Sequence, residues 1–341
     1  MKKVVLTLFT LATLASCSST DIIHNGSSNN NAIAFGRVET RAGLSDLQND
    51  GFGVWATVSS IGSTAVSYQP ILEKEHVYSP DGGTEWTYDN TQMWIPNSMF
   101  YFFAAYPKEI GVQQQRLEYD GDVAVIYSLD ITADGSNNTE DILVATNVTD
   151  TTAESFDSDN VVPLTFGHLL TKINLKIRQN FAIDPDFNYY VTRVIITGVK
   201  GNAKYSCDPY NGEFYYGWHY DNSTDITIEK VYSEPVLLRN IGAENPVVTL
   251  SVWGNNGLML VPQVINGNAK IKVEYYYDIN SDDDSYGTAK YVEGFIPATK
   301  WESGQSISYT LSIANQNNIS FSQPSIVPWG SPQTGGTIII Q

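Results

Sequence analysis

From Gly51 to Ile313 the chain is written in short apolar runs, each closed by a polar turn cluster, and no window sustains a capped amphipathic helix. The clearest run is TKINLKI, Thr171 to Ile177. Ile173, Leu175 and Ile177 alternate there with Lys172, Asn174 and Lys176, the pattern of a half-buried strand. GFGVWATVS, SYQPILEKEHVY, MFYFFAAYP, VAVIYSLDI and DILVATNV predict strands in the first half. VTRVIITGV, DITIEKV, PVVTLSVW, GLMLVPQV, AKIKVEYYY, AKYVEGFIP and SISYTLSI predict strands in the second. Turns such as SPDGGTE and ADGSNN punctuate them. About seven short strands per half predict an all-β protein of two sandwiches, divided near Phe166. A chain of 341 residues is long enough for two such cores.

The first residues read as an address. In MKKVVLTLFTLATLASC, Lys2 and Lys3 form a basic start and Val4 to Leu14 an apolar stretch too short for a standard membrane span. Leu14-Ala15-Ser16-Cys17 resembles a bacterial lipobox, which predicts a diacylglycerol on the Cys17 thiol and an exported, membrane-tethered precursor. Embedded acyl chains hold a protein to a leaflet by about 0.8 kcal/mol per buried methylene. Residues 18–31, SSTDIIHNGSSNNN, form a polar tether.

Motifs of chemistry are scarce. The sequence has no HExxH, CxxC, GxSxG or Walker loop, so no enzyme, no cofactor and no catalytic residue is expected. GFGVWA, from Gly51, matches GxGxxA only superficially, because a polar segment precedes it and a strand follows. His168, in TFGHLLTK, reads as a structural histidine rather than a general base. Asp278, Asn280, Asp282 and Asp284 occupy positions 1, 3, 5 and 7 of a possible calcium loop. Asp283 replaces the needed Gly and Ala289 the needed Glu, so a solvated hairpin loop is the better reading. Cys207 reads as a free or half-buried thiol near a turn, too far from Cys17 in context to suggest a disulfide framework. Acidic residues outnumber basic ones 37 to 19, and a net charge of −18 disfavours nucleic acid as a partner.

Several segments recur together in a known order: the lipobox, an Arg just ahead of the first domain, FFAAYP, DILVAT, LTFGHLLTKINLKI, LMLVPQ and WESGQSISYTLSI. As a set they resemble the Bacteroidetes-type fimbrillins, the type V pilins. The resemblance implies two tandem transthyretin-like (Greek-key) β-sandwiches, residues 42–166 and 167–313, and an outer-membrane lipoprotein precursor. It further implies a trypsin-like maturation protease that cuts after Arg41, before Ala42, and releases residues 18–41 with the first strand. Arg37 is a second candidate cut. The C-terminal segment of another pilin subunit then fills the groove, and repetition builds a cell-surface fimbrium.

Both ends of the chain fit that scheme. Residues 32–40, AIAFGRVET, can form a strand with Ile33 and Phe35 on one face and Ala32, Ala34 and Gly36 on the other. In the tail, 314–341, Ile319 and Phe321 alternate, as do Val327 and Trp329, and Ile338, Ile339 and Ile340 form an apolar run. A tail this apolar is a candidate donor strand. Pro324, Pro328 and Pro332 interrupt it, and the alternative is that it packs on its own domain as extra strands. The expected function is a stalk or tip pilin serving adhesion to a host or bacterial surface ligand that the residues do not identify. The alternative is an outer-membrane-anchored glycan-binding lipoprotein, or a fimbrial anchor subunit that keeps its lipid and leaves Arg41 uncut.

Overall fold

The computed structural model describes residues 31–40, 45–61, 67–82, 85–119, 122–133, 135, 141–154, 156–157, 161–180, 187–239, 247–279, 288–315 and 318–329. Among these the chain is almost wholly β, as expected. The first strands are β1 (Phe35–Thr40), β2 (Phe52–Ser60), β3 (Tyr68–Val77), β4 (Ser98–Tyr106), β5 (Gln113–Tyr119), β6 (Asp122–Thr132), β7 (Leu143–Asp150) and β8 (Val162–His168). Then come β9 (Thr171–Gln179), β10 (Phe187–Lys200), β11 (Asn202–Tyr210), β12 (Glu213–His219), β13 (Asp225–Leu237), β14 (Thr249–Ser251), β15 (Leu258–Leu260) and β16 (Gln263–Ile265). The last are β17 (Lys270–Ile279), β18 (Thr288–Phe295), β19 (Thr299–Trp301), β20 (Gln305–Asn315), β21 (Asn318–Phe321) and β22 (Ser325–Pro328). One short helix, α1 (Ser45–Asp50), precedes β2 and buries Leu47. Gly51 ends it at φ 71°, donating its N–H to the Leu47 carbonyl, the left-handed stop that glycine permits.

The first sheet runs β1-β8-β7-β4-β2-β3. Its centre is buried on both faces, which is why β4 reads as a continuous apolar run rather than an alternation. Phe100, Phe102 and Ala104 turn into one core with Phe52, Val54, Leu164 and Phe166. Tyr101, Phe103 and Ala105 turn into another with Trp55, Tyr127, Tyr205 and Cys207. That second core is closed by the sheet β12-β11-β6-β5.

This second sheet joins strands from either side of the expected boundary near Phe166. β11 pairs with β6 from Asn202↔Thr132 to Cys207↔Tyr127. The pairing arises because β10 and β13 form one ladder and continue, past Gly201, as β11 and β12. The ribbon turns at Asn211-Gly212, whose φ of 50° and 83° suit a tight hairpin of mirror-image type. Its tip is fastened to the first sheet: Gly212 donates its N–H to Tyr101 Oη at 2.8 Å, and Tyr216 Oη lies 2.8 Å from Thr146 Oγ1.

A third core lies between the sheet β13-β10-β17-β18 and the sheet β14-β9-β20-β21, to which β15 and β22 add. Ile173, Leu175 and Ile177 point into it while Lys172, Asn174 and Lys176 point away, so the alternation in TKINLKI does mark a half-buried strand. Trp301 is buried there with its indole N–H satisfied by Tyr309 Oη at 2.9 Å.

Phe103 is fully buried and stacks on Tyr127, with centroids 5.2 Å apart. Replacing it with Ala should cost about 3–5 kcal/mol. A urea titration should show this as a lower midpoint at unchanged slope.

Candidate functional site

A strand is present where one was expected at residues 32–40: β1, preceded by an antiparallel bridge between Ala32 and Met93. Ile33 donates to the Gln92 carbonyl at 2.8 Å, and Trp94 donates to the Asn31 carbonyl at 2.9 Å. Val162 donates to the Ala34 carbonyl at 2.7 Å, which begins a parallel ladder with β8 running from Phe35↔Val162 to Thr40↔Phe166. Ile33 and Phe35 are buried, as the alternation predicts. The ladder slips between Gly36 and Val38, and this bulge carries Val38 to the same core. Gly36 does not stand on an open face, as its place in the alternation suggests. A Cβ there would meet Val161 Cγ2 at 2.6 Å, so the residue must be small for the strand to approach.

Side chains seal the strand in place. Phe35 packs edge-on against Tyr88 and Phe102, with centroids 5.3 and 5.9 Å away. Tyr88 donates its hydroxyl to the Ile33 carbonyl at 2.9 Å. Three apolar side chains buried in this way contribute roughly 1.5–3 kcal/mol each.

β8 depends on this strand. Its pairing with β7 is confined to Leu143↔His168 and Val144↔Gly167. Beyond those pairs the two strands diverge around a cleft of about 470 Å³, bordered by Trp94, Val148, Phe156 and Val162.

The tail residues lie on their own chain. β21 and β22 both pair with the edge of β20 left free by β9. Ile319 and Phe321 pack against the third core, with Ile319 seated where Gly294 leaves room: a Cβ at Gly294 would lie 2.8 Å from Ile319 Cδ1. Val327 pairs with Ser306. Trp329 donates its N–H to the Gly304 carbonyl at 2.6 Å and lays its ring on His168, 3.9 Å between centroids and 1° from parallel. Ile319, Phe321 and Val327 thus lie in extra strands that cover the β20 edge, and Trp329 follows β22 directly.

His168 is the last residue of β8, and its imidazole is buried. Its Nδ1 sits 2.7 Å from Asp141 Oδ2, an ion-pair distance whose angle is not that of a hydrogen bond. The Lys172 ammonium lies 5.6 Å from the Trp329 ring centre. Burial lowers the Lys172 pKa, and the Asp141 carboxylate pulls it back up.

Other candidates fall into place around this site. Cys17, Arg41, Ala42, Ile338, Ile339 and Ile340 lie outside the described residues, as do Asn280, Asp282 and Asp284. Asp278 is at the end of β17 and accepts a hydrogen bond from Asn188 Nδ2 at 2.7 Å. Among the described residues no cluster of three metal-ligating side chains forms. Cys207 is fully buried within β11 rather than half-buried at a turn. Burial, reinforced by the neighbouring Asp208 charge, pushes its thiol pKa well up. The outer face of β11 and β12 carries a polar hollow of about 410 Å³, where Ser206 Oγ is 2.9 Å from His219 Nε2. No described helix is long and apolar enough to cross a membrane.

An N-terminal edge strand sealed by aromatic side chains, and an apolar tail beyond the last core strand, sit in one all-β chain. A fimbrillin-like family model matches residues 40–329. The chain belongs to the fimbrillin-like family. A fimbrial protein from Bacteroides vulgatus shares its fold at 19% identity and a TM-score of 0.55, covering 88% of this chain and all of its own. A proposed cell adhesion protein from Bacteroides ovatus aligns at 15% identity and a TM-score of 0.47, over 89% of this chain and 99% of its own. No curated protein matches the sequence.

Two outcomes test this geometry in the fimbrillin-like subunit. Gly36→Ala should weaken the seat of β1 by about 1–3 kcal/mol, since no Val161 rotamer moves its own Cβ, 2.9 Å away. Hydrogen exchange should then speed up in β1 and stay unchanged in β17. Cys207 should resist alkylation in the native protein and react fully only after unfolding, as mass spectrometry of iodoacetamide-treated samples would show.

Proposed function

We propose that this chain is a structural subunit of a cell-surface fimbrium, assembled by removing its first strand and accepting a neighbour's tail in its place. The carrying observation is that β1 supplies Phe35 and Val38 to a core while its described ladder is made with β8, and Arg41 follows it directly in the sequence. Its loss would leave an apolar groove and a row of unpaired β8 groups, each costing on the order of 1–3 kcal/mol if unsatisfied. An incoming strand repairs both defects by β-augmentation. Head-to-tail donation does not close on itself, so it propagates as a filament.

In this reading the precursor is a lipoprotein acylated at Cys17 and carried to the outer membrane. A trypsin-like protease cuts between Arg41 and Ala42, which removes lipid and strand together. The mature subunit keeps its two β-sandwich units, 42–166 and 167–313, with the β11–β12 ribbon reaching from the second onto the first. Residues 314–341 supply the donor, with Ile338, Ile339 and Ile340 as its apolar anchors. The packing of Ile319 to Trp329 on their own chain favours a second position, a tip subunit that accepts a strand and donates none.

N-terminal mass spectrometry of sheared surface material tests the reading. The expected start is Ala42, in a ladder of polymers that dissociates on boiling. Arg41→Ala should abolish the ladder. An intact acylated Cys17 in all material would overturn polymerisation and leave an anchored surface lipoprotein. Deleting residues 330–341 should abolish homopolymer if the tail donates, and should leave tip incorporation intact if it does not.

A further inference from the structure

Among the described residues, β8 is touched both by the N-terminal strand and by the tail. Its first five residues pair with β1, and its last, His168, lies under Trp329 of the tail. Its link to the rest of the sheet is short: two residue pairs to β7 and the Leu169 N–H to the Ile142 carbonyl at 2.8 Å. Neither end of the chain meets a broad anchor here; each meets the other's support.

We propose that β8 is a coupling element that keeps the tail latched on its own subunit until β1 is cut away. The inference rests on the strand-exchange reading of β1. The latch is the Trp329 ring on the His168 imidazole, braced by Asp141 at 2.7 Å from Nδ1 and by the Lys172 ammonium 5.6 Å from the indole ring centre. His168 has no slack on its other side. Its Nε2 is buried and makes no hydrogen bond, so packing and the Asp141 carboxylate beside Nδ1 hold the ring at the angle that Trp329 requires. With β1 in place, residues 162–166 are fixed by a full ladder. Without it, that stretch has no ladder partner, and β8 pivots on the two β7 pairs beside His168. A flat stack at 3.9 Å tolerates little tilt, so the indole loses its seat. The outermost turn of the tail, held by the Trp329 N–H and the β22 ladder, is then free to leave β20.

The device explains an ordering that strand exchange needs. A precursor with a free apolar tail would aggregate before its groove opened. A tail released by the same event that opens the groove appears only when an acceptor exists. Coupling between two sites on one element is reciprocal, so loosening the tail must also loosen β1.

Hydrogen-exchange mass spectrometry of the full precursor, before and after cleavage at Arg41, reads the coupling directly. Cleavage should speed exchange in residues 325–329 by about tenfold, within the usual range for coupled sites, while β17 is unaffected. Trp329→Ala, left uncut, should speed exchange in β1 by a similar factor. His168→Phe, which keeps a flat ring for the stack, should leave both segments near the precursor rate, and His168→Ala should not. Unchanged exchange of 325–329 on cleavage, or unchanged exchange of β1 in Trp329→Ala, overturns the coupling. Tail release without any polymer would instead support the coupling and overturn strand exchange, so the two failures are separate readouts.

Discussion

The pairing of β8 with β1 is the contact on which the arrangement of the first core depends. One ladder holds both the strand at the edge and the strand beneath it, because β8 leaves β7 after two pairs. Ile33, Phe35 and Val38 face Phe102, Tyr88 and Trp94 across that ladder's inner side. In an ordinary sandwich such an edge strand is a permanent wall. Here the wall pairs with one strand along its ladder, and Arg41 follows it directly in the sequence.

The opposite face of the same sheet is built differently. β2 and β4 are clamped there by the second core, and the ribbon of β11 and β12 is pinned to Tyr101 and Thr146 by hydrogen bonds. A sheet buried on both faces can lose one cover and keep the other. In the strand-exchange reading we propose, that asymmetry would let a single cut bare a groove without dismantling the subunit. The third core, with Trp301 and Tyr309 joined at its centre, is independent of the first and carries the edge on which the tail rests.

Much of this was legible in the sequence. Period-two alternation located β9, and the crowded apolar run located β4, because burial on one face or two leaves different patterns. Ile33 and Phe35 were recognisable as an inward face. Three features escaped. β5, QQQRLEY, is an exposed edge strand with little apolar signal. The β11–β12 hairpin was not predicted as strands, although Asn211-Gly212 marks its turn. The reach of that hairpin across the boundary near Phe166 is a tertiary pairing that local pattern does not encode. His168 is buried beside Asp141 and Trp329, which lie 27 and 161 positions away in sequence. The bulge at Gly36–Val38 likewise depends on Val161, which no periodicity in β1 announces.

The central claim is that a neighbour's tail occupies the place β1 vacates. A photo-crosslinking residue at position 339, carried by subunits of assembled fimbria, tests it most directly. The account expects crosslinks between subunits, on residues that now line the β1 seat: Tyr88, Trp94, Phe102, Val162 and Leu164. Crosslinks confined to the same subunit, or mapping to the outer face of β11 and β12, would contradict it.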